Sequence, residues 1–170
     1  MPEPALPILP VTIRSYLPKD KLPCQTLYKE GLIGGKLAPN DTGADIDDIA
    51  AAYLCSPDNH FWVAENEQGE VVGIIGVQQD EPGIGEIRRL RVRQDSRRRG
   101  VGSALMETAI KFCRERQFLK ITLDTFIERE LAMRLFQKFH FNHSRTRHVG
   151  EKELLYFYLD LYHSEPTRKK

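Results

Sequence analysis

This sequence lacks long apolar segments, and it has no basic residues near the first methionine. The longest nearly apolar run, Val71 to Val77, spans seven residues and contains two glycines, whereas a membrane helix needs about 20 apolar residues. The first ten residues contain four prolines and no lysine or arginine, which is untypical of a secretory signal peptide. We therefore expect a protein that has no membrane segment and works in the cytoplasm.

Cysteine is also scarce. The three cysteines, Cys24, Cys55 and Cys113, are odd in number and lie far apart, so a disulfide framework is excluded and no metal-ligand spacing is present. We expect all three to be reduced, buried thiols. The five histidines show no metal-ligand spacing either, and no metal ligand is predicted.

Length and composition indicate one folded domain. A chain of 170 residues with 41% hydrophobic residues is long enough to bury a core, which excludes a generally disordered protein. No repeat or linker divides the sequence. We expect a single domain over residues 1–170, with its core at about 11–162 and flexible termini.

Hydrophobic periodicity predicts a mixture of helices and strands, and therefore an α/β protein. Helices are predicted over 19–32, 45–55, 101–116 and 128–139, with a loop over 34–43. Strands are predicted over 11–16, 61–65, 71–78, 86–92, 119–123, 141–149 and 154–161. The strand at 86–92 is unusual, because arginines interrupt what should be an apolar run.

Positive charge is concentrated in one stretch, although the formal net charge of the chain is only +1. Residues 1–85 carry a net charge of −8 and residues 86–170 a net charge of +9. Such an arginine run predicts either a solvated surface or an anion site, for a nucleotide phosphate or for nucleic acid. The arginines concerned are Arg88, Arg89, Arg91, Arg93, Arg97, Arg98 and Arg99.

The local sequence favours a phosphate site. The segment Arg97-Arg98-Arg99-Gly100-Val101-Gly102-Ser103 lies between a predicted strand and a predicted helix. Two glycines one residue apart allow a tight turn close to a ligand, and the first turn of a helix offers free N–H groups and a partial positive charge. Together they predict a phosphate-binding loop. The alternative is a tight turn that merely caps the helix.

Two common phosphate motifs do not fit this loop. Leu105 replaces the third glycine of a dinucleotide-binding motif, and no Gly-Lys-Ser/Thr follows, as a nucleoside-triphosphate loop would require. The pattern Arg97-x-x-Gly100-x-Gly102 instead resembles the signature of the GNAT acetyltransferase superfamily, Arg/Gln-x-x-Gly-x-Gly/Ala, at that family's usual distance from Val92.

The resemblance extends along most of the chain. Residues 132–141 (AMRLFQKFHF) resemble the family's later segment, Ala-x-x-Leu-Tyr-x-x-x-Gly-Phe, and residues 61–65 with 71–73 resemble two of its strands. The stretch from about Ile46 to Tyr162 is similar in particular to the camello-type N-acetyltransferases, without the membrane segment that many of those carry.

The resemblance implies the GNAT fold, a mixed and mostly antiparallel twisted sheet of about seven strands with flanking helices. The strands at 86–92 and 119–123 should be its one parallel pair, since a helix long enough for a crossover lies between them. They should splay apart around the cofactor, acetyl-CoA. The residues implied in its binding are Leu90, Arg91, Val92, Arg97, Arg98, Arg99, Gly100, Val101, Gly102, Ser103 and Phe136.

Within that set, the resemblance implies different roles for two segments. Backbone N–H groups from Arg98 to Ser103 would hold the pyrophosphate, and backbone groups of Leu90 and Val92 would pair with the pantetheine arm. Phe136 occupies the position at which many members carry a tyrosine that protonates the departing thiolate. His140 replaces the usual glycine.

For catalysis, Glu86 matches the general base of histone-type members, and Asp124 is the second candidate. A surface carboxylate paired with Arg88 or Arg147 is the alternative interpretation of Glu86. Tyr156 and Tyr158 could approach the cleft from a later strand, although such tyrosines are more often part of a core.

The implied function is transfer of an acetyl group from acetyl-CoA to a primary amine of a small molecule, peptide or protein, by direct attack in a ternary complex. A non-catalytic acyl-CoA-binding module on the same fold is the alternative. Nucleic-acid binding is disfavoured, because no helix-turn-helix or aromatic stacking motif accompanies the arginines. We expect an amine acceptor as partner, with no nucleic acid and no membrane; a homodimer stays open.

Overall fold

The computed structural model describes residues 4–30 and 41–162, and within them seven strands form one sheet. The strands are β1 (Val11–Ser15), β2 (His60–Asn66), β3 (Val71–Glu81), β4 (Ile84–Val92), β5 (Lys120–Thr125), β6 (Asn142–Val149) and β7 (Lys152–Asp160). The α-helices are α1 (Lys21–Glu30), α2 (Ala44–Asp47), α3 (Ile49–Tyr53), α4 (Val101–Glu115) and α5 (Arg129–Gln137). Short 3₁₀ turns lie at Pro18–Asp20 and Gln94–Ser96.

The strand order across the sheet is β1-β2-β3-β4-β5-β7-β6. All neighbours are antiparallel except β4 and β5, which pair in parallel only from Ile84–Lys120 to Glu86–Thr122. Beyond Glu86, β4 continues along β3, while β5 continues along β7. The predicted mixed sheet, its single parallel pair and the separation of these two strands are therefore confirmed.

Helix α4 makes the crossover that a parallel pair requires. Its buried side chains include Val101, Leu105, Ala109 and Cys113, a spacing that places them on one face of the helix. This face lies so close to β3 that a Cβ added to Gly73 would stand 2.8 Å from Leu105 Cδ1. The glycine is therefore required for close packing of α4 on the sheet.

Helices on the two sides of the sheet form two separate cores. Helices α4 and α5 cover one face, where buried residues of every strand from β2 to β5 and of β7 form the larger cluster. Helices α1, α2 and α3 cover the other face over β2 and β3. There, a Cβ added to Gly76 would stand 2.7 Å from Tyr53 Cε1, so α3 also approaches the sheet closely.

The single helix predicted over 45–55 is wrong, because the structure has two short helices there. Asp48 separates α2 from α3 with φ −141° and ψ 74°, and its carboxylate accepts a hydrogen bond from the Ala51 N–H at 3.1 Å. An aspartate side chain that bonds to the backbone in this way caps a new helix instead of continuing the old one.

The prediction for the cysteines also needs correction. Cys24 and Cys113 are buried, as predicted, but Cys55 is exposed. It follows the short helix α3, at the point where the chain leaves the core. Residues 34–40 of the predicted loop, residues 31–32 of the predicted first helix and the tail after residue 162 lie outside the described residues.

Candidate active site

A cavity of about 680 Å³ opens where β4 and β5 separate. Residues 86–91 of β4 form one wall, and residues 123–127 at the end of β5 form the other. Phe136 of α5, the segment from Asp41 to Asp45 and part of the β6–β7 hairpin complete the lining. The cavity therefore lies in the gap that the short parallel pairing leaves in the sheet.

A β-bulge shapes the β4 wall. Gly76 of β3 pairs with Arg88, and Ile74 pairs with Arg91, so two residues of β4 stand opposite one residue of β3. One of these two, Arg89, has φ +58°, which is uncommon for a residue with a side chain. A bulge bends its strand and turns side chains in a new direction, and here it bends β4 beside the cavity.

The Arg89 side chain holds the bulge through a buried charge cluster. It donates to the Asp45 carboxylate at 2.6 and 2.9 Å and to Asp41 Oδ1 at 3.0 Å, and its guanidinium lies 4.9 Å from the centre of the Tyr28 ring. Burial by itself would raise the pKa of Asp45, but hydrogen bonds from Arg89 and from the Tyr53 hydroxyl outweigh it and lower that pKa to about 2. The cluster connects β4 to the segment from Asp41 to Asp45, which also lines the cavity.

We expect Arg89→Met to lower the free energy of unfolding by about 3–5 kcal/mol at neutral pH, because it leaves two largely buried carboxylates without their cation. Urea unfolding of both proteins measures the loss. The matched control is Arg134→Met, which removes an exposed pair with Glu130 at 2.7 Å and should cost about 0–0.5 kcal/mol. A loss below about 1 kcal/mol for Arg89→Met would contradict the role of the cluster.

The same variant should change the dependence of stability on pH. A carboxyl whose pKa is lower in the folded chain, as for Asp45, stabilises the fold above about pH 4 and loses that contribution as the pH falls toward its folded pKa. In Arg89→Met the carboxylates are uncompensated, and their protonation relieves the destabilisation. The difference in the free energy of unfolding between the wild type and Arg89→Met should therefore narrow as the pH is lowered.

The two candidate bases lie on one face of the sheet, across the point where the strands separate. Glu86 pairs with Thr122, and Asp124 follows two residues later on β5, so its side chain points to the same side. Both residues line the cavity. The register therefore brings together two carboxyls that are 38 positions apart in the sequence.

The surroundings of Glu86 fit both a general base and a carboxylate that is paired with an arginine. Burial raises the pKa of Glu86, and the charge of Asp124 raises it further, while Arg88 lowers it. Burial likewise raises the pKa of Asp124. Arg88 Nε lies 3.8 Å from Glu86 Oε1, and Arg88 also donates to Gln78 Oε1 at 2.7 Å. A carboxyl with a raised pKa in a cleft is a common feature of proton-transfer sites.

The glycine loop, residues 97–103, leads into α4 with two residues of positive φ, one on either side of Arg99. Arg98 has φ +58° and Gly100 has φ +87°, and Gly100 is the N-cap of α4. No acidic residue stands in the first turn of the helix. A Cβ added to Gly102 would meet only Val92 Cγ2, at 3.8 Å, so the space above this turn is open to a ligand.

Two of the loop arginines use their Nε groups to fix the backbone. Arg97 Nε donates to the Val92 carbonyl at 3.0 Å, and Arg99 Nε donates to the Pro7 carbonyl at 3.0 Å. The Leu9 N–H in turn donates to the Arg99 carbonyl at 2.9 Å. The N-terminal segment therefore supports the loop, a contact that no sequence pattern indicated.

The remaining candidates are Phe136 of α5 and two half-buried tyrosines of β7. Phe136 lines the cavity, but its buried ring packs against Phe157 at 5.0 Å between ring centres, and it has no hydroxyl to donate. Tyr156 and Tyr158 pair across the strands with Asp124 and Thr122. They share the face that carries the two carboxyls, but they are not among the residues that line the cavity.

His140 stands at a position whose backbone conformation favours glycine. Its φ is +67°, in the left-handed region that glycine adopts without strain. The Phe141 N–H donates to the Phe136 carbonyl at 3.1 Å, and the His140 N–H donates to the Gln137 carbonyl at 3.0 Å. These are the two bonds of a Schellman motif, so His140 ends α5 in the same way as the usual glycine.

A sheet that separates between two parallel strands, with a glycine loop beginning the crossover helix beside the gap, defines the class of N-acyltransferase folds. The sequence model of the acetyltransferase (GNAT) family matches residues 33–141. The chain belongs to this family.

Individual relatives agree with this assignment. Human N-acetyltransferase 8 is 36% identical over 102 residues, which are 57% of this chain and 44% of the human protein. The camello protein of Xenopus tropicalis is 35% identical over 104 residues, 60% of this chain and 47% of that protein. The chain thus spans about half the length of the curated relatives it matches. The camello-type resemblance is confirmed.

A solved structure shows the same fold. The GNAT-family acetyltransferase from Staphylococcus aureus Mu50 superposes with a TM-score of 0.72, covering 89% of this chain and 99% of that one at 18% identity. At 18% identity, this similarity shows that the two chains share a fold and nothing more. Among the helices in the described part of the chain, none has the length and apolar character needed to span a membrane.

Proposed function

We propose that this chain is a single-domain, cytoplasmic N-acetyltransferase that transfers the acetyl group of acetyl-CoA to a primary amine of a small molecule, peptide or protein. One observation carries the proposal. A loop suited to a pyrophosphate begins α4 beside the gap between β4 and β5, and the two carboxyls Glu86 and Asp124 line the cavity in that gap. Family membership adds the reaction type.

The residues of the loop fit the phosphates of CoA. The open space at Gly102 and the absence of an acidic residue in the first turn of α4 suit an anion bound by N–H groups of residues 98–103. Arg97, Arg98 and Arg99 add positive charge. A carboxylate in that turn would oppose a bound phosphate, and none is present.

The β4 backbone fits an extended amide chain such as pantetheine. Parallel pairing ends at Glu86, so the edge of β4 from Leu90 to Val92 faces the gap instead of β5. The Leu90 carbonyl accepts a hydrogen bond from Arg91 Nη1 at 3.1 Å, and a carbonyl oxygen has a second lone pair for a ligand amide. When bound, acetyl-CoA supplies the thioester carbonyl that the amine attacks.

Glu86 is proposed as the group that takes the proton of the amine. An ammonium has no free electron pair, so the acceptor must lose a proton before or during attack. The Glu86 carboxyl lines the cavity and is partly exposed, and its raised pKa makes it a better proton acceptor than an ordinary carboxylate. Phe136 has no proton to give, so the departing thiolate receives its proton from elsewhere.

The test of this function is release of free thiol from acetyl-CoA in the presence of amines. The panel contains amino acids, polyamines, peptides with a free N-terminus and peptides with a lysine side chain. We expect amine-dependent thiol release together with an acetylated product in the mass spectrum. Calorimetric binding of CoA without thiol release for any amine would favour a non-catalytic acyl-CoA-binding module, and the absence of both would contradict the proposal.

A further inference from the structure

Arg91 lines the cavity, and no carboxylate in the described part of the chain pairs with it. Its Nε is buried and meets no hydrogen-bond partner among residues 4–30 and 41–162, while its Nη1 donates to the carbonyl of the preceding residue, Leu90, at 3.1 Å. The nearby carboxylates of Asp41 and Asp45 are already paired with Arg89. Arg91 is therefore an enclosed cation that lacks the acidic partners its neighbour has.

The charge of Arg91 is unfavourable in the empty cavity. A guanidinium that leaves water loses solvation, and a buried charge is normally compensated by an anion. Burial is the main cause that lowers the pKa of Arg91 to about 10, and the charge of Arg89 lowers it further. Arg91 is still charged at neutral pH, so an anion that enters the cavity would supply the missing partner.

Arg91 lies on the same face of the sheet as the candidate bases. Arg88 and Arg91 pair with Gly76 and Ile74 of β3. These two partners are two positions apart, so the bulge leaves both arginines on one side. Glu86 precedes Arg88 by two positions and shares that side. Along β4 the cavity thus has a carboxyl nearer one end and an unpaired cation nearer the other, which suits a molecule that carries both an amine and an anionic group.

We propose that Arg91 determines acceptor specificity by binding a carboxylate of the acceptor, and that the acceptor is a small amine with a carboxylate, such as a free amino acid. The inference rests on the proposed function, because it selects among the amines which that function allows. A guanidinium binds a carboxylate through two parallel hydrogen bonds. With Nη1 on Leu90, Nε remains for this purpose. A polyamine has no anionic group and would leave Arg91 unpaired.

Matched acceptors test the requirement for a carboxylate. Thiol release from acetyl-CoA is measured with L-alanine, L-phenylalanine, L-lysine and L-aspartate, each compared with the derivative in which every carboxylate is an amide. We expect kcat/KM for the best acceptor to be at least about 10-fold higher than for its amide. Amidation makes the neighbouring amine less basic, so more of it is neutral at a given pH. Amine reactivity alone would therefore favour the amide.

The variant Arg91→Met should remove this preference. We expect KM for the amino acid to rise about 10–100-fold, as for loss of a charge-assisted hydrogen bond. The rate with the amide and the calorimetric Kd for CoA should stay nearly the same, and Arg91→Lys should keep part of the preference. Arg134→Met is the matched control for net charge, because Arg134 is exposed on α5 in a pair with Glu130. It should leave KM unchanged.

Urea unfolding of Arg91→Met separates recognition from a structural role. Because the variant removes a cation that has no ion pair within the described residues, its free energy of unfolding should stay the same or rise, in contrast to Arg89→Met. A lower free energy of unfolding with an unchanged acceptor preference would assign Arg91 a structural role and overturn the inference.

Two further outcomes would also overturn the inference while the proposed function stands. The first is a wild type that uses amino acids and their amides equally well. The second is an Arg91→Met variant with a higher Kd for CoA and an unchanged acceptor preference, which would assign Arg91 to the cofactor. No thiol release by the wild type with any amine would remove both the inference and the proposed function.

Discussion

Replacement of Glu86 by glutamine is expected to slow acetyl transfer at neutral pH by about 10²–10⁴-fold, the usual contribution of a general base. The amide has nearly the shape of the carboxyl but does not take a proton, so affinity for CoA should stay the same. Raising the pH should restore part of the rate in the variant, because more of the acceptor amine is then already neutral. Steady-state rates from about pH 6 to about pH 10 measure both effects.

A merely structural Glu86 gives a different result. Its contact with Arg88, at 3.8 Å between partly exposed groups, would contribute about 0–1 kcal/mol of stability and leave the rate nearly unchanged. Glu115→Gln, an exposed carboxylate on α4, is the matched control for loss of one negative charge. If Glu86→Gln keeps the pH profile of the wild type, Glu86 is not the base, and Asp124→Asn becomes the next variant to measure.

Gly102→Glu is expected to abolish binding of CoA while the fold is kept. A side chain at this position enters the open space above the first turn of α4, and its carboxylate places negative charge where the pyrophosphate is expected. The fold should not suffer, because glutamate is a better helix former than glycine and suits the positive end of a helix. Calorimetric titration with CoA and thermal unfolding of the same preparation measure the two effects.

Gly102→Ala separates the effect of charge from that of bulk. A Cβ at this position has ordinary contact distance to Val92, at 3.8 Å, and alanine raises helix propensity by up to about 1 kcal/mol over glycine. We therefore expect Gly102→Ala to bind CoA and to be at least as stable as the wild type. Unchanged affinity in Gly102→Glu would show that the phosphate loop has been assigned to the wrong place.

Local patterns in the sequence were sufficient for most of the architecture. The amphipathic stripe of α4 and the strands on either side of it predicted the crossover and hence the parallel pair, since the length of a connection limits how two strands can be joined. The glycine loop was likewise predictable, because its chemistry belongs to neighbouring residues. The prediction of one helix over 45–55 failed at Asp48. An aspartate side chain can bond to nearby backbone N–H groups, so the residue can either lie within a helix or cap a new one.

The arrangement of the candidate site was only partly predictable. The arginines of β4 are unusual for a strand, but the sequence does not indicate their partners. In the structure Arg89 lines the cavity and also ties the bulge to Asp41 and Asp45, more than 40 positions away. The partner of a charge depends on which segments the fold brings together, and an arginine run gives no information about that.

By itself, then, the sequence determined the element types, the sheet with its one parallel pair, the position of the glycine loop and the family, because each depends on residues close together in the chain or on a contiguous motif. Only the tertiary structure decided that Glu86 and Asp124 share one face, that Pro7 and Leu9 support the loop and that Cys55 is exposed. These contacts join side chains and backbone from distant elements. Their geometry follows from strand register and helix packing, which the free energy of the whole fold determines and no local pattern encodes.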